Sequence, residues 1–190
     1  IPLPQDATQG DLTVKIDPSL AATTIDGLTY LRNFPYQCLE QTVSRFLPNI
    51  MTYRALDSLG VANATLKSDL EGGVNFALQR LYAQQKPDGG WGWFVQDASN
   101  PLTTAYALIG LAEAKNAGFP VGDDVIANAQ NYLQTTFITL DLSREQWQLN
   151  RQAFTLYALA RSGKPDISRT ANLFESRDRL AIYAKAFMAL

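Results

Sequence analysis

The chain contains no histidine, and its 190 residues include a single cysteine, Cys38. The first absence excludes Ser-His-Asp and Cys-His catalysis, zincin sites and Cys/His zinc fingers. The second excludes an internal disulfide and a thiolate metal cluster. The thiol is therefore either passive filler or a reactive group. No apolar run approaches the length a bilayer needs. An excess of either charge sign is missing too: Lys+Arg 16 against Asp+Glu 18 leaves a net charge of -2. There is thus no electrostatic reason to expect nucleic acid or an anionic membrane as partner. Residues Ile1 to Gly10 lack the basic start and apolar stretch of a signal peptide, and Pro2, Pro4 and Gly10 read instead as a cut inside a longer protein. What is present is 46% hydrophobic and 11% aromatic residues, enough for a packed core and an argument against disorder.

Along the chain, Leu12, Val14 and Ile16 alternate as in a short strand at 11–17, before Pro18. Everything after it reads as helix and loop, beginning with a helix over 20–33. Pro35 breaks the chain, and a helix is expected from about Cys38 toward Leu59, kinked or split at Pro48 and stopped by Gly60. Ser68-Asp69-Leu70-Glu71 has capping-box form and predicts a helix reaching about Gln85. Asn100-Pro101 starts another, with Leu102, Ala105, Leu108, Ile109 and Ala112 on one face. Asp123 is expected to cap a helix ending near Thr136. Ser143-Arg144-Glu145-Gln146 reads as a second capping box, for a helix with a Leu149, Ala153, Leu156, Tyr157, Ala160 stripe that Ser162-Gly163 ends. Asp178 to Leu190 reads as helix. A Tyr-Ala-Leu-like string recurs at Tyr53, Tyr106 and Tyr157, at intervals of 53 and 51 residues. Two helices fit each interval, which suggests stacked helical hairpins, as an open solenoid or an α/α toroid.

The chemistry concentrates at Pro35-Tyr36-Gln37-Cys38-Leu39-Glu40-Gln41. Side chains three apart share a face of a helical turn, so Cys38 Sγ can reach the Gln41 side-chain carbonyl. That is the spacing of an internal thioester, formed with loss of ammonia. Unpaired N–H groups at a helix start favour negative charge and so a thiolate, both bond-forming nucleophile and leaving group. A thioester hydrolyses unless kept dry, and Tyr36, Trp91, Trp93 and Phe94 are the candidate aromatic cover. The alternative is a Cys38 that merely fills space and a Gln41 on a helix surface. Within Gln85-Lys86-Pro87-Asp88-Gly89-Gly90-Trp91-Gly92-Trp93-Phe94, the Pro-Asp-Gly-Gly string predicts a tight inter-helix turn, its backbone bonded by Gln85 and its aromatics plugging the helical stack.

The longer string Pro35-Tyr36-x-Cys38-x-Glu40-Gln41 resembles the thioester signature of the α2-macroglobulin and complement family. Leu39, with Thr42-Val43-Ser44-Arg45 and Pro48, resembles its bacterial branch. Gly89-Gly90-Trp91-Gly92-Trp93 and Leu102-Thr103-Thr104-Ala105-Tyr106 resemble the hairpins that follow. The resemblance implies an all-α, α/α-toroid thioester domain at 18–190, incomplete at its C-terminal side, with 1–17 a linker and strand from a preceding β domain. It implies no cofactor and no metal. It implies a single-use covalent trap rather than an enzyme: a protease cuts a bait segment elsewhere, the protein rearranges, and a protease lysine amine attacks the Gln41 carbonyl while Cys38 leaves. The implied partners are target proteases and other domains of the same large protein. The implied location is extracytoplasmic and periplasmic, any membrane anchor lying outside this segment. Two departures stand out. Gln37 occupies a position usually held by glycine, and the segment lacks the histidine that lets some complement members acylate hydroxyls.

Two other classes compete. Gln85-x-x-Asp88-Gly89-Gly90-Trp91 resembles the repeat of triterpene cyclases, but the acidic cluster those enzymes need is absent, Asp123-Asp124 having no further partners. A toroid glycosidase would need two opposed carboxylates, for which Asp88, Asp97 and Glu113 can be nominated without any spacing that selects them. The third reading is a helical-repeat binding module with Cys38 inert.

Overall fold

A computed structural model describes residues 38–60, 64–137 and 145–190. The expected strand at 11–17, the expected helix at 20–33 and the motif residues Pro35, Tyr36 and Gln37 lie outside the described residues. The described chain is all-α: α1 Leu39–Ser58, α2 Ala64–Gln84, α3 Pro101–Asn116, α4 Asp123–Thr135, α5 Gln146–Arg161, α6 Ile167–Phe174, a 3-10 turn Arg177–Arg179, and α7 Ile182–Ala189. α1, α3, α5 and α7 pack against one another in succession, while α2, α4 and α6 pack on α1, α3 and α5 respectively. The result is a row of stacked hairpins.

The middle of that row is α3. An amphipathic stripe was the expectation there, but Thr103–Ala105 and Ala107–Ala114 are all buried, and Leu102 is exposed instead. Flanked by α1 and α5 and backed by α4, α3 has almost no face left for solvent, so its buried positions are apolar or small apart from Glu113. Gly110 lets α1 come close: a Cβ there would stand 3.0 Å from both Val43 and Phe46 side chains. The surrounding helices keep ordinary amphipathic spacing, as with Val74, Ala77, Leu78 and Leu81 on α2 and Ile126, Ala129, Tyr132 and Leu133 on α4. A second, smaller core unites Leu149, Ala153 and Leu156 with Leu173, Leu180 and Ala184.

Several helix limits differ from the sequence-based expectation. α1 runs unbroken through Pro48, so the chain does not split there. α2 begins at Ala64, so the Ser68 capping box lies inside it. Gly122, not Asp123, is the N-cap of α4. Residues 143 and 144 lie outside the described residues. The N-cap of α5 is Glu145, whose N–H donates to the Gln148 side chain at 3.1 Å. α6 was not anticipated, although Asp166 accepts from the Arg169 N–H at 2.9 Å as an N-cap should. Asp178 lies in the 3-10 turn, and α7 starts only at Ile182. Asn100 does cap α3, accepting from the Leu102 N–H at 2.8 Å with Pro101 first in the helix.

One charge ties three neighbouring helices together. Glu113 of α3 is 2% exposed and is paired with Arg54 of α1 at 2.6 Å and with Arg161 of α5. The hydrogen bond to Glu113 raises the Arg161 pKa further, so the guanidinium stays charged. Uncompensated, a buried carboxylate is costly, whereas a single lost partner is cushioned by the other and by solvent at the half-exposed arginines. Arg54→Ala and Arg161→Ala should each lower stability by about 1–2 kcal/mol, and the double variant by about 3–5 kcal/mol, in urea unfolding.

Candidate functional site

Cys38 is the N-cap of α1, with φ -68 and ψ 167, and it is partly buried. Its carbonyl accepts from both the N–H and the hydroxyl of Thr42, each at 3.0 Å. The same hydroxyl oxygen accepts from Arg80 Nε at 3.2 Å, which ties the first turn of α1 to α2. The next N–H, that of Leu39, has no partner within the helix and donates to the Trp93 carbonyl at 3.0 Å. The Cys-Leu-Glu-Gln turn is thus held by its own helix, by α2 and by the Trp-Gly-Trp loop.

Gln41 stands three residues on, one helical turn from Cys38. Its side-chain oxygen is buried and accepts no hydrogen bond; among the described residues only Gln152 Oε1 shares that condition. An amide oxygen is a strong acceptor, and burying it unpaired costs about 1–3 kcal/mol. A native fold that keeps such a group calls for an explanation. A thioester carbonyl, lacking amide resonance, is a weaker acceptor, so the same pocket penalises it less.

The loop between α2 and α3 carries the predicted aromatics, and they part company. Trp91 is wholly buried, with its indole N–H donating to the Leu81 carbonyl at 2.8 Å. Its backbone N–H donates to Thr104 Oγ1 at 2.9 Å, and its carbonyl accepts from Thr103 Oγ1 at 2.6 Å. Trp93 and Phe94 are 40% and 55% exposed and do not plug the stack. Gln85 Nε2 bonds the turn as anticipated, reaching the Gly89 carbonyl at 3.0 Å and the Val125 carbonyl at 2.9 Å. Gly89 has φ 87. A Cβ on Gly89 would fall 2.3 Å from the Asn128 carbonyl oxygen, so conformation and space both demand glycine.

Glu40 has a partner of its own. Ser44, four residues on, donates to Glu40 Oε1 at 2.8 Å, and its oxygen lies 3.0 Å from the Tyr106 hydroxyl of α3. Burial pushes the Tyr106 phenol above 10.0; the Ser44 hydrogen bond opposes this and the Glu40 charge adds to it. The nominated carboxylates all have structural partners. Asp88 accepts from the Gly90 N–H and the Ser99 hydroxyl, and Asp97 from the Phe94 N–H. Glu113 is in its arginine cluster, and no group of three metal-ligating side chains occurs among the described residues. Sequence reasoning missed Thr42, Ser44, Arg80 and Tyr106. The Glu40–Ser44 spacing of four was a readable signal, while Arg80 and Tyr106 come from other helices and carried none.

Two outcomes follow from this geometry. Gly89→Ala should cost more than about 2 kcal/mol by chemical denaturation. A raised folded-state phenol also gives stability that is intact below 10.0 and is lost as pH rises through the folded value. Tyr106→Phe should therefore lose less stability than the parent between about pH 9 and about pH 11. Some loss remains, because burial raises Tyr132 too, with the Asp88 charge adding to the rise.

Comparison with known proteins identifies the family of the chain. The model of the A-macroglobulin TED domain matches residues 12–137. An α2-macroglobulin of Thermotoga maritima is 35% identical over 116 residues, covering 61% of this chain and 7% of that protein. The crystal structure of Salmonella α2-macroglobulin reacted with methylamine is 26% identical with a TM-score of 0.65, covering 83% of this chain and 11% of that one. The trypsin-activated α2-macroglobulin of Escherichia coli is 26% identical with a TM-score of 0.60, covering 82% of this chain and 12% of that one. The chain thus spans only 7%, 11% and 12% of the length of these three relatives. With well over half of its residues matched by the family model, the chain belongs to the A-macroglobulin TED domain family.

Proposed function

We propose that Cys38 and Gln41 form an internal thioester and that the protein carrying this domain is a single-use covalent trap for proteases. The observation that carries the reading is the Gln41 oxygen, buried without a donor one turn from the chain's only thiol. Bond formation expels ammonia and replaces an amide that the pocket serves badly. Attack by a lysine amine makes an amide again, and a strong acceptor with no donor then favours leaving the pocket. Reaction is thereby coupled to displacement of the acylated side chain. The family relationship and the Salmonella relative's reaction with methylamine support the same chemistry. The trypsin-activated state of the Escherichia coli relative supports proteases as targets.

In this reading Leu39 anchors the turn and Pro35 and Tyr36 lead into it. Trp93 and Phe94, exposed beside the turn, cover the bond together with Tyr36, while Trp91 holds their loop in place. Neighbouring domains of the same large protein complete the dry site, and further hairpins close the row into a toroid. Residues 18–190 form the thioester domain and 1–17 enter it from a preceding β domain. The location is extracytoplasmic and periplasmic. No described helix is long and apolar enough to cross a membrane.

The test uses the full-length protein. Methylamine should add to Gln41 and release one thiol at Cys38, and Cys38→Ala should abolish both. Denaturing heat should cut the backbone between Glu40 and Gln41, through attack of the Gln41 nitrogen on its own activated carbonyl. A thiol already free before methylamine, together with an uncut chain after heating, would overturn the proposal.

A further inference from the structure

We infer that Thr42 and Arg80 are positioning residues for closing the Cys38–Gln41 bond. This rests on the thioester reading above. Neither reacting group is aimed by a hydrogen bond of its own: the Cys38 side chain makes no capping bond, and the Gln41 oxygen accepts none. Their approach is therefore set by the backbone between them. That backbone is clamped at Thr42, the residue directly after Gln41. The Thr42 N–H and hydroxyl both donate to the Cys38 carbonyl, each at 3.0 Å. The ring so closed runs through Leu39, Glu40 and Gln41, so it fixes the turn that spaces the two side chains. At its other end the Cys38–Leu39 peptide donates its N–H to the Trp93 carbonyl at 3.0 Å. The peptide that carries the Cys38 side chain into the helix is thus held by three hydrogen bonds, two of them from Thr42.

Arg80 decides where the Thr42 hydroxyl points. A hydroxyl has one proton, and a guanidinium N–H can only donate. Arg80 Nε donates to Thr42 Oγ1 at 3.2 Å, which leaves the hydroxyl proton for the Cys38 carbonyl. Thr42 is 5% exposed, so water competes little for either bond. A threonine bonded four residues back is common in helices. Here the same hydroxyl is also locked from a second helix, which turns it into a fixed strut. Its effect falls on bond formation. The Cys38 thiol gives up its proton, and the sulfur attacks the Gln41 side-chain carbonyl carbon. The C–S bond forms, the C–N bond breaks, and the nitrogen leaves with that proton as ammonia. A turn already held in shape spares the entropy loss of bringing the two groups together. Aminolysis starts from the closed bond and takes its nucleophile from solution, so it draws little on this clamp.

The experiment measures, in freshly purified full-length protein, the ratio of chains lighter by one ammonia to chains of full mass. Thr42→Val keeps the side-chain shape and the N–H bond but removes the hydroxyl, and it should lower that ratio about five- to tenfold. Thr42→Ser should restore it. Arg80→Met should lower it by less, because the hydroxyl remains but is no longer oriented. Chains that do close should react with methylamine at the parental rate. A merely structural role would lower the urea midpoint and leave the ratio among folded chains unchanged. That outcome in Thr42→Val, or in Arg80→Met if Thr42→Val does not fold, overturns this inference alone. So does a Thr42→Ser variant that fails to restore the ratio, or a methylamine rate that falls with it. A parent protein that never loses ammonia overturns the thioester reading and this inference with it.

Discussion

The site depends on the hydrogen bond from the Leu39 N–H to the Trp93 carbonyl. A helix start leaves N–H groups without partners, and here the one that follows Cys38 is satisfied from another hairpin. The acceptor is in place because Trp91, two residues earlier, is locked by its indole, its amide and its carbonyl to α2 and α3. The turn before it is closed by Gln85 and needs glycine at 89. Burying the Trp91 ring sets the loop, the loop supplies the acceptor, and the acceptor fixes the direction in which the Cys-Leu-Glu-Gln turn enters α1.

Polar burial separates support from chemistry in this domain. Glu113 is buried deeply but meets two arginines, and it joins α1, α3 and α5. Thr103 and Thr104 are buried against the Trp91 backbone, Gln130 bonds the Ser162 carbonyl at the end of α5, and Asn150 accepts from the Ala181 N–H at the start of α7. Each of these groups is satisfied, and each joins segments distant in sequence. Gln41 is the contrast: it lies on a turn tethered to α2 and to the Trp-Gly-Trp loop, yet its oxygen has no donor. That unserved acceptor is the observation on which the proposed thioester rests.

Much of this was readable in the residues because it was local. Asn100-Pro101 announced the start of α3, Ser162-Gly163 the end of α5, and Gln85 with Pro87-Asp88-Gly89 the turn. Cys38 and Gln41 were legible as a candidate pair because a spacing of three at a helix start is about one turn. What was lost depended on neighbours. The burial of α3 on nearly every side comes from its central place in the row, which no periodicity shows. The Tyr-Ala-Leu strings do fall on α1, α3 and α5, and so follow the hairpin spacing. α6 escaped because its eight residues bury only Leu173. The Glu40–Ser44–Tyr106 chain needed α3 to be laid against α1.

The central claim is a covalent bond between Cys38 and Gln41, and peptide mapping by tandem mass spectrometry of freshly purified full-length protein tests it most directly. The account predicts a peptide containing Cys38 and Gln41 that is lighter than its sequence by one ammonia, with both residues inside the cross-link. A peptide of full mass, with Cys38 open to alkylation from the outset and Gln41 still an amide, would contradict it.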